Sequence, residues 1–190
     1  SDVEKRFIDI SNVFLNAYPK EKDAPPVLYQ ASYLQYSHYD FPNAYKSFWS
    51  IIQQYPTHVT AYPSAYLVLD ILNRKKDYPK LIAACKKFLD TKPMDKPEFK
   101  KEVATVLRHA ELKRIALLEG ESKFKQAADE YVEYTKAYGT QDEALYEKAL
   151  FNASVNYTKV NLLVIAAETQ EKFLRRFPKS TMRQEMILQV

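Results

Sequence analysis

Residues 40–56 read DFPNAYKSFWSIIQQYP, and residues 77–93 read DYPKLIAACKKFLDTKP. The two stretches have the same length, and both open with aspartate, an aromatic residue and proline. Aspartate is a favoured helix N-cap and proline is favoured in the first helical turn, so each stretch predicts a helix that starts beside its aspartate. The closing proline cannot continue a helix. Because Asp40 and Asp77 stand 37 residues apart, the near-copies indicate a repeat of that length.

The same kind of stop occurs five times along the chain, at intervals of 37, 37, 46 and 39 residues. Each stop is an aromatic residue or lysine followed by Pro or Gly, which end helices. A period of this size is typical of stacked helical hairpins. The five stops are Tyr18-Pro19, Tyr55-Pro56, Lys92-Pro93, Tyr138-Gly139 and Phe177-Pro178.

The sequence therefore predicts an all-α fold, an α-solenoid of about four antiparallel helical hairpins with a single helix at each end. We expect one repeat domain over residues 1–190, with repeats at about 25–58, 62–95, 98–141 and 142–180. Both ends break the pattern inside a unit, so we expect the chain to be a fragment of a longer protein. The predicted helices are 3–18, 27–39, 43–55, 62–74, 80–91, 98–119, 123–138, 142–158, 162–176 and one that begins at 180 and runs towards 190.

Alignment of the stops predicts the core. The positions are counted back from the Pro or Gly of each stop after the first. Residues twelve, eight and five positions earlier share one helix face, because offsets of three and four return to the same side. Cys85 falls in one of these positions, where a free cysteine behaves as a small hydrophobic residue. The predicted core positions are Ala44, Phe48, Ile51, Leu81, Cys85, Phe88, Ala127, Tyr131, Tyr134, Ala166, Gln170 and Phe173.

Composition argues against most enzyme and metal-site patterns. The chain has two glycines, so hairpins that need a positive φ and phosphate-cradling loops are scarcely possible. It has one cysteine and three histidines far apart in sequence, which leaves no spaced metal-ligand pattern. We therefore expect no enzyme activity, no cofactor and no metal, and no stretch is apolar enough to predict a membrane span.

The repeat resembles that of tetratricopeptide (TPR) proteins. The TPR pattern ends with Ala, an aromatic residue four positions later and Pro eight positions after that, and Ala44, Phe48 and Pro56 match it. The step Phe177-Pro178-Lys179-Ser180 is similar to one found in bacterial envelope TPR proteins of the BamD/CpoB kind. That resemblance implies a protein that organises other envelope proteins, in the periplasm or at the cell envelope; a cytoplasmic location is the alternative.

In TPR proteins the first helix of each hairpin lines a concave groove. The resemblance implies that the residues at the corresponding positions of this chain form a partner-binding surface. Independently of the family, Tyr29, Tyr33 and Tyr36 share one helix face by their spacing. Tyrosine suits protein interfaces, but the same three side chains could instead pack between neighbouring helices. The predicted site consists of Tyr29, Tyr33, Tyr36, Tyr66, Asp70, Asn73 and Arg74. In the third and fourth repeats the corresponding groove positions hold His109, Leu112, Glu119, Lys148, Phe151 and Val155.

The sequence thus predicts a protein–protein interaction scaffold that binds a peptide or a partner helix on a tyrosine-rich concave face. Two alternatives remain open: a glycan- or cell-wall-binding module in which the tyrosines stack on sugars, and an accessory module of a larger enzyme. Residues 73–101 hold ten Lys or Arg against four Asp or Glu, a net charge of +6. This charge fits a solvated surface or an acidic protein partner better than it fits nucleic acid.

Overall fold

The computed structural model describes residues 2–139 and 141–188. In these residues all regular structure is helical, as the sequence predicts, and consecutive helices pack on one another as hairpins. The all-α solenoid fold class is therefore confirmed. A short 3-10 helix, Lys92–Met94, precedes the sixth α-helix. The α-helices are α1 (Asp2–Ala17), α2 (Ala24–Ser37), α3 (Phe41–Gln54), α4 (Ala61–Arg74), α5 (Tyr78–Asp90), α6 (Pro97–Gly120), α7 (Phe124–Tyr138), α8 (Glu143–Lys159), α9 (Leu163–Arg176) and α10 (Arg183–Ile187).

The chain divides into two compact units, Ser1–Thr105 and Val106–Val190, and the division falls within α6. In the first unit α1 to α5 pack in chain order, and in the second α7 packs on α8 and α8 on α9. Most helix ends agree with the sequence prediction to within two residues. The larger differences are α2, which starts at Ala24 because its first turn accepts prolines, and α10, which spans only Arg183–Ile187. The predicted tenth helix also covers 189–190, which lie outside the described residues.

The core prediction is confirmed at all twelve positions, which are buried in the structure. Cys85 is fully buried on α5, so it fills space in the core as expected. In the second unit Ala127, Tyr131 and Ala166 belong to one cluster with residues of α6 and α8. These side chains bring the helices of successive hairpins together.

Aspartate side chains cap three of the described helices by hydrogen bonds. The Asp40 carboxylate accepts a hydrogen bond from the Asn43 backbone N–H at 3.4 Å, and the Asp77 carboxylate accepts one from the Lys80 N–H at 3.3 Å. Asp142 does the same for Leu145 at 3.1 Å. Each carboxylate satisfies a backbone donor that has no partner within its own helix.

The turn inside each hairpin has a left-handed residue that is not glycine. Lys76 has a φ of 55°. Its N–H donates to the Asn73 carbonyl, and the next N–H, of Asp77, donates to the Leu72 carbonyl, both at 3.0 Å. This pair of bonds is the Schellman helix ending. The same ending recurs at Tyr39, Ser122 and Asn161, with φ values of 62°, 59° and 59°.

The expectation drawn from the glycine count therefore needs correction. The chain does turn through positive φ, but neither glycine provides it: Gly120 ends α6, and Gly139 has a φ of −53°. Because the Schellman hydrogen bonds hold the backbone in place, lysine, tyrosine, serine and asparagine occupy a conformation that glycine would adopt without steric cost.

Candidate partner-binding site

Three tyrosines form a ladder along α2. The ring centroids of Tyr29 and Tyr33 lie 6.3 Å apart with nearly parallel planes, and those of Tyr33 and Tyr36 lie 6.1 Å apart. Helical spacing of four and three residues brings the rings to one side of the helix. Their exposure differs: Tyr33 is 44% exposed, whereas Tyr29 and Tyr36 are half-buried. Tyr33 is therefore the member of the ladder that presents most of its ring to solvent.

The two flanking tyrosines also have structural contacts. The Tyr29 ring lies 5.9 Å from the ring of Phe48, a fully buried residue of α3, and burial raises the pKa of the Tyr29 hydroxyl. The Tyr36 ring lies 5.7 Å from Phe41 at the start of α3. Tyr29 and Tyr36 thus pack between helices, whereas Tyr33 faces solvent.

Tyr36 joins α2 to α4. Its hydroxyl donates to the Asp70 carboxylate at 2.5 Å, and Arg74 Nε donates to the same oxygen at 2.5 Å. The Arg74 guanidinium also lies 5.9 Å from the centre of the Tyr36 ring. Burial, followed by the Asp70 hydrogen bond, raises the pKa of Tyr36. Three residues predicted from two different repeats are therefore brought together.

Tyr66 extends the same surface towards α6. It is 37% exposed, and its ring meets Phe99 edge-on at 5.3 Å. Burial and a hydrogen bond to Glu102 raise the pKa of Tyr66 to about 12, so the hydroxyl stays protonated. Tyr62, one turn earlier on α4, meets the same Phe99 ring edge-on at 5.1 Å. The predicted site residues Tyr29, Tyr33, Tyr36, Tyr66, Asp70, Asn73 and Arg74, all on α2 and α4, are named the tyrosine face below.

The sequence prediction missed Phe99 and Glu102 beside this face. Both lie in the first turns of α6, which the alignment on the helix stops left outside the groove positions. The available signal was the spacing of Phe99 and Glu102, which are three residues apart and therefore share one face of the predicted 98–119 helix. Asn73 lies exposed in the last turn of α4, and its carbonyl accepts the Lys76 N–H of the hairpin turn.

The groove positions carried into the second unit include errors. Leu112 is only 6% exposed and belongs to the core cluster, so it cannot line a groove. Glu119 accepts hydrogen bonds from the Tyr131 hydroxyl at 2.7 Å and from the Asn156 amide at 3.1 Å. Phe151 packs against Phe173 with ring centroids 6.1 Å apart. Of the carried-over residues in this unit, Leu112, Glu119 and Phe151 hold helices together, whereas His109 and Lys148 are exposed.

Tyrosine-to-carboxylate hydrogen bonds recur in both units. Besides the pairs of Tyr36, Tyr66 and Tyr131, the Tyr157 hydroxyl donates to Asp129 at 2.8 Å, and Tyr138 bonds to Glu111. Burial is the first cause that raises the pKa of each of these tyrosines. Each pair joins two helices through a neutral donor and a charged acceptor, which is a strong type of hydrogen bond.

Neither a metal site nor a membrane span is found in residues 2–139 and 141–188. No group of three or more His, Cys, Asp or Glu side chains in this part of the chain could hold a metal ion. None of its helices is both long enough and apolar enough to cross a bilayer. The chemistry that the described residues offer at the tyrosine face is aromatic contact and hydrogen bonding.

No protein-family model matches this chain, and no curated protein matches it. Among solved structures, "MamA RS-1 ArsTM double mutant" is similar over 93% of this chain and 95% of its own length, with 16% sequence identity and a TM-score of 0.38. A superposition this loose carries no argument about function. The helical hairpins themselves fit a TPR-like repeat.

Proposed function

We propose that this chain is a protein–protein interaction scaffold that binds an extended peptide or a partner helix on the tyrosine face. One observation supports this most: the ladder of Tyr29, Tyr33 and Tyr36 is anchored at both ends while its middle ring is exposed. Tyr29 rests on Phe48 and Tyr36 is bonded to Asp70, so Tyr33 is held in place before any partner arrives. Pre-ordered side chains lose little conformational freedom on binding, which favours affinity.

The composition of the face also suits a protein partner. Tyrosine provides a broad contact area with two side-chain torsions to fix, and its hydroxyl tolerates water at the rim of an interface. Tyr66 adds a second partly exposed ring, and Asn73 and Arg74 supply polar groups beside it. Helical-repeat proteins as a class use such extended surfaces for binding.

The test is selection of ligands from a displayed random peptide library on the immobilised full chain. Selected peptides are then titrated by fluorescence polarisation against the unaltered chain, Tyr33→Ala and the control Tyr18→Ala. Tyr18 is 56% exposed at the end of α1, outside the tyrosine face. We expect Tyr33→Ala to weaken binding about tenfold, as for an aromatic residue that dominates an interface, and Tyr18→Ala to change it less than about twofold.

Tyr33→Ala is a cleaner test than replacement of the whole ladder. Tyr29 and Tyr36 make packing and hydrogen-bond contacts, so their loss would perturb the hairpins as well as the surface. Circular dichroism and the midpoint of thermal unfolding verify that each variant is folded. If Tyr33→Ala and Tyr18→Ala bind selected peptides equally well, the tyrosine face is not the binding surface.

A glycan array with the same two variants separates the scaffold from the glycan-binding alternative. Binding to a sugar that depends on Tyr33, with no peptide selected, would replace the protein-partner proposal with a carbohydrate-binding one.

From the Phe177-Pro178-Lys179-Ser180 step we further propose that the partners are proteins of a bacterial envelope. Fractionation of the source cells into periplasm, membrane and cytoplasm tests this; recovery in the cytoplasm alone would contradict it.

A further inference from the structure

A second aromatic surface lies on α3 and α5, the helices that alternate with those of the tyrosine face. The Trp49 ring lies 5.2 Å from the Phe88 ring of α5, and Lys87 Nζ lies 4.7 Å from the centre of the Trp49 ring. Tyr45, one turn before Trp49, meets its ring edge-on at 6.2 Å. Trp49 of α3 thus packs against the next hairpin through Phe88 of α5.

The charges on these two helices are strongly one-sided. α3 carries no aspartate or glutamate, and α5 carries only Asp90, whereas Lys46, Lys80, Lys86 and Lys87 are all exposed. Tyr45 and Trp49 are half-buried, so part of each ring remains at the surface among these lysines. Tyr45, Lys46, Trp49, Lys80 and Lys87 are named the lysine face below.

Part of the positive charge of residues 73–101 lies outside the lysine face. Arg74 pairs with Asp70 on the tyrosine face, and Lys96 lies 4.4 Å from the centre of the Tyr62 ring. Lys100 points at the last carbonyls of α5, including that of Phe88 at 3.1 Å, where it completes the helix end. These three cations serve the fold of the first unit.

The three lysines of the lysine face differ in how far their positive charge is balanced by neighbouring groups. Lys80 pairs with the Asp77 carboxylate at 2.8 Å, so its charge is partly balanced. Lys87 is held over an uncharged ring, where a cation–π contact leaves its positive charge in place. Lys46 projects from a helix that lacks acidic residues. Lys46 and Lys87 are therefore the two cations best placed to meet external carboxylates beside Trp49.

We propose that the lysine face binds an acidic protein segment that carries apolar side chains among its carboxylates. The carboxylates pair with Lys46 and Lys87, and an apolar side chain packs on Trp49 and Tyr45. Charge complementarity brings such a segment to the surface, and the aromatic rings provide the apolar contact that fixes it. The site lies on α3 and α5, so this binding is separate from that of the tyrosine face on α2 and α4.

The only tryptophan of the chain makes the experiment direct, because Trp49 lies in the face itself. The probe is a short synthetic peptide of glutamates interspersed with leucines, added to the full chain at low ionic strength. Comparison probes are the same peptide with lysine for glutamate and a single-stranded oligonucleotide of equal negative charge. Binding is read from the Trp49 emission and from the polarisation of labelled probe.

The test variant is Lys46→Glu/Lys87→Glu, and the matched control is Lys159→Glu/Lys172→Glu, which makes the same charge change at exposed lysines of the second unit that also lie over aromatic rings. We expect the acidic peptide to shift the Trp49 emission and to bind at least about tenfold more weakly to the test variant, because charge reversal juxtaposes like charges. The control should change the affinity less than about twofold, and Tyr33→Ala should leave it unaltered.

Four results would overturn the proposal: no binding of the acidic peptide at low salt, binding without a change in Trp49 emission, equal loss in both double variants, or tighter binding of the oligonucleotide. The last would assign the face to nucleic-acid phosphates. Tyr33→Ala keeps the two proposals distinguishable, because a failed tyrosine face leaves binding of the acidic peptide to the lysine face unchanged.

Discussion

Replacement of Lys76 by glycine should stabilise the first unit. Lys76 has a φ of 55°, and an L-residue in this left-handed region costs about 1–2 kcal/mol relative to the right-handed one. Glycine removes that steric cost but loses about 0.5–1 kcal/mol more backbone entropy on folding. The net expectation is a free energy of unfolding higher by about 0.5–1 kcal/mol, which for a unit of this size raises the unfolding midpoint by about 2–5 °C. Lys76 is exposed, so its side chain gives up little packing.

The assay is urea unfolding followed by Trp49 emission, which reports on the unit that contains Lys76. The control is Lys75→Gly: Lys75 has a φ of −75° and a ψ of −7°, so glycine relieves nothing there and only the entropy cost remains. We expect Lys75→Gly to lower the free energy of unfolding by about 0.5–1 kcal/mol. If Lys76→Gly lowers it by the same amount, the left-handed turn is not a source of strain and the reasoning fails.

Two further predictions concern carboxylates. The hydrogen bond and charge of Lys80 hold the pKa of Asp77 below its usual value, so Asp77 stabilises the fold above the unfolded-state pKa, and this contribution disappears as the pH falls through the folded-state pKa. Asp77→Asn keeps a good N-cap, and its free energy of unfolding should therefore fall less steeply below about pH 4 in urea titrations; an unchanged slope would contradict this. Glu119→Ala removes the acceptor of the fully buried Tyr131 hydroxyl and should cost about 1–3 kcal/mol. Glu119→Gln retains an acceptor oxygen and should cost less, as measured by circular dichroism in urea; equal losses would show that the hydrogen bond is unimportant.

The fold could be predicted from sequence because several helix ends and the buried positions are determined by residues close together in the chain. Proline that follows a helical segment prevents the helix from continuing, so Pro56 and Pro178 mark helix ends without knowledge of the tertiary structure. The buried positions follow from helical spacing counted back from those stops. The left-handed turns inside the hairpins had no such signal. Lys76 and Ser122 are ordinary surface residues whose left-handed conformation is imposed by the Schellman hydrogen bonds.

The candidate site was predictable within a helix and less so between helices. The ladder on α2 depends only on spacing within one helix, whereas the Tyr36–Asp70 hydrogen bond between α2 and α4 was not predicted. The predicted groove positions are wrong in α6. The third interval is 46 residues long, and counting back from Gly139 aligned the C-terminal part of α6, rather than its first turns, with α2 and α4. Phe99 was thereby missed, and Leu112, a core residue, was assigned to the surface.

The tyrosine–carboxylate pairs have a consequence for how the molecule responds to ionic strength. Salt screens attractions between exposed opposite charges, so a repeat protein joined by surface ion pairs loosens as salt is added. Here Tyr36–Asp70, Tyr131–Glu119 and Tyr157–Asp129 join helices through a donor without charge. Added salt should therefore weaken charge-driven binding at the lysine face while the hairpins stay joined. A salt titration can therefore separate partner binding at the lysine face from the stability of the helical hairpins.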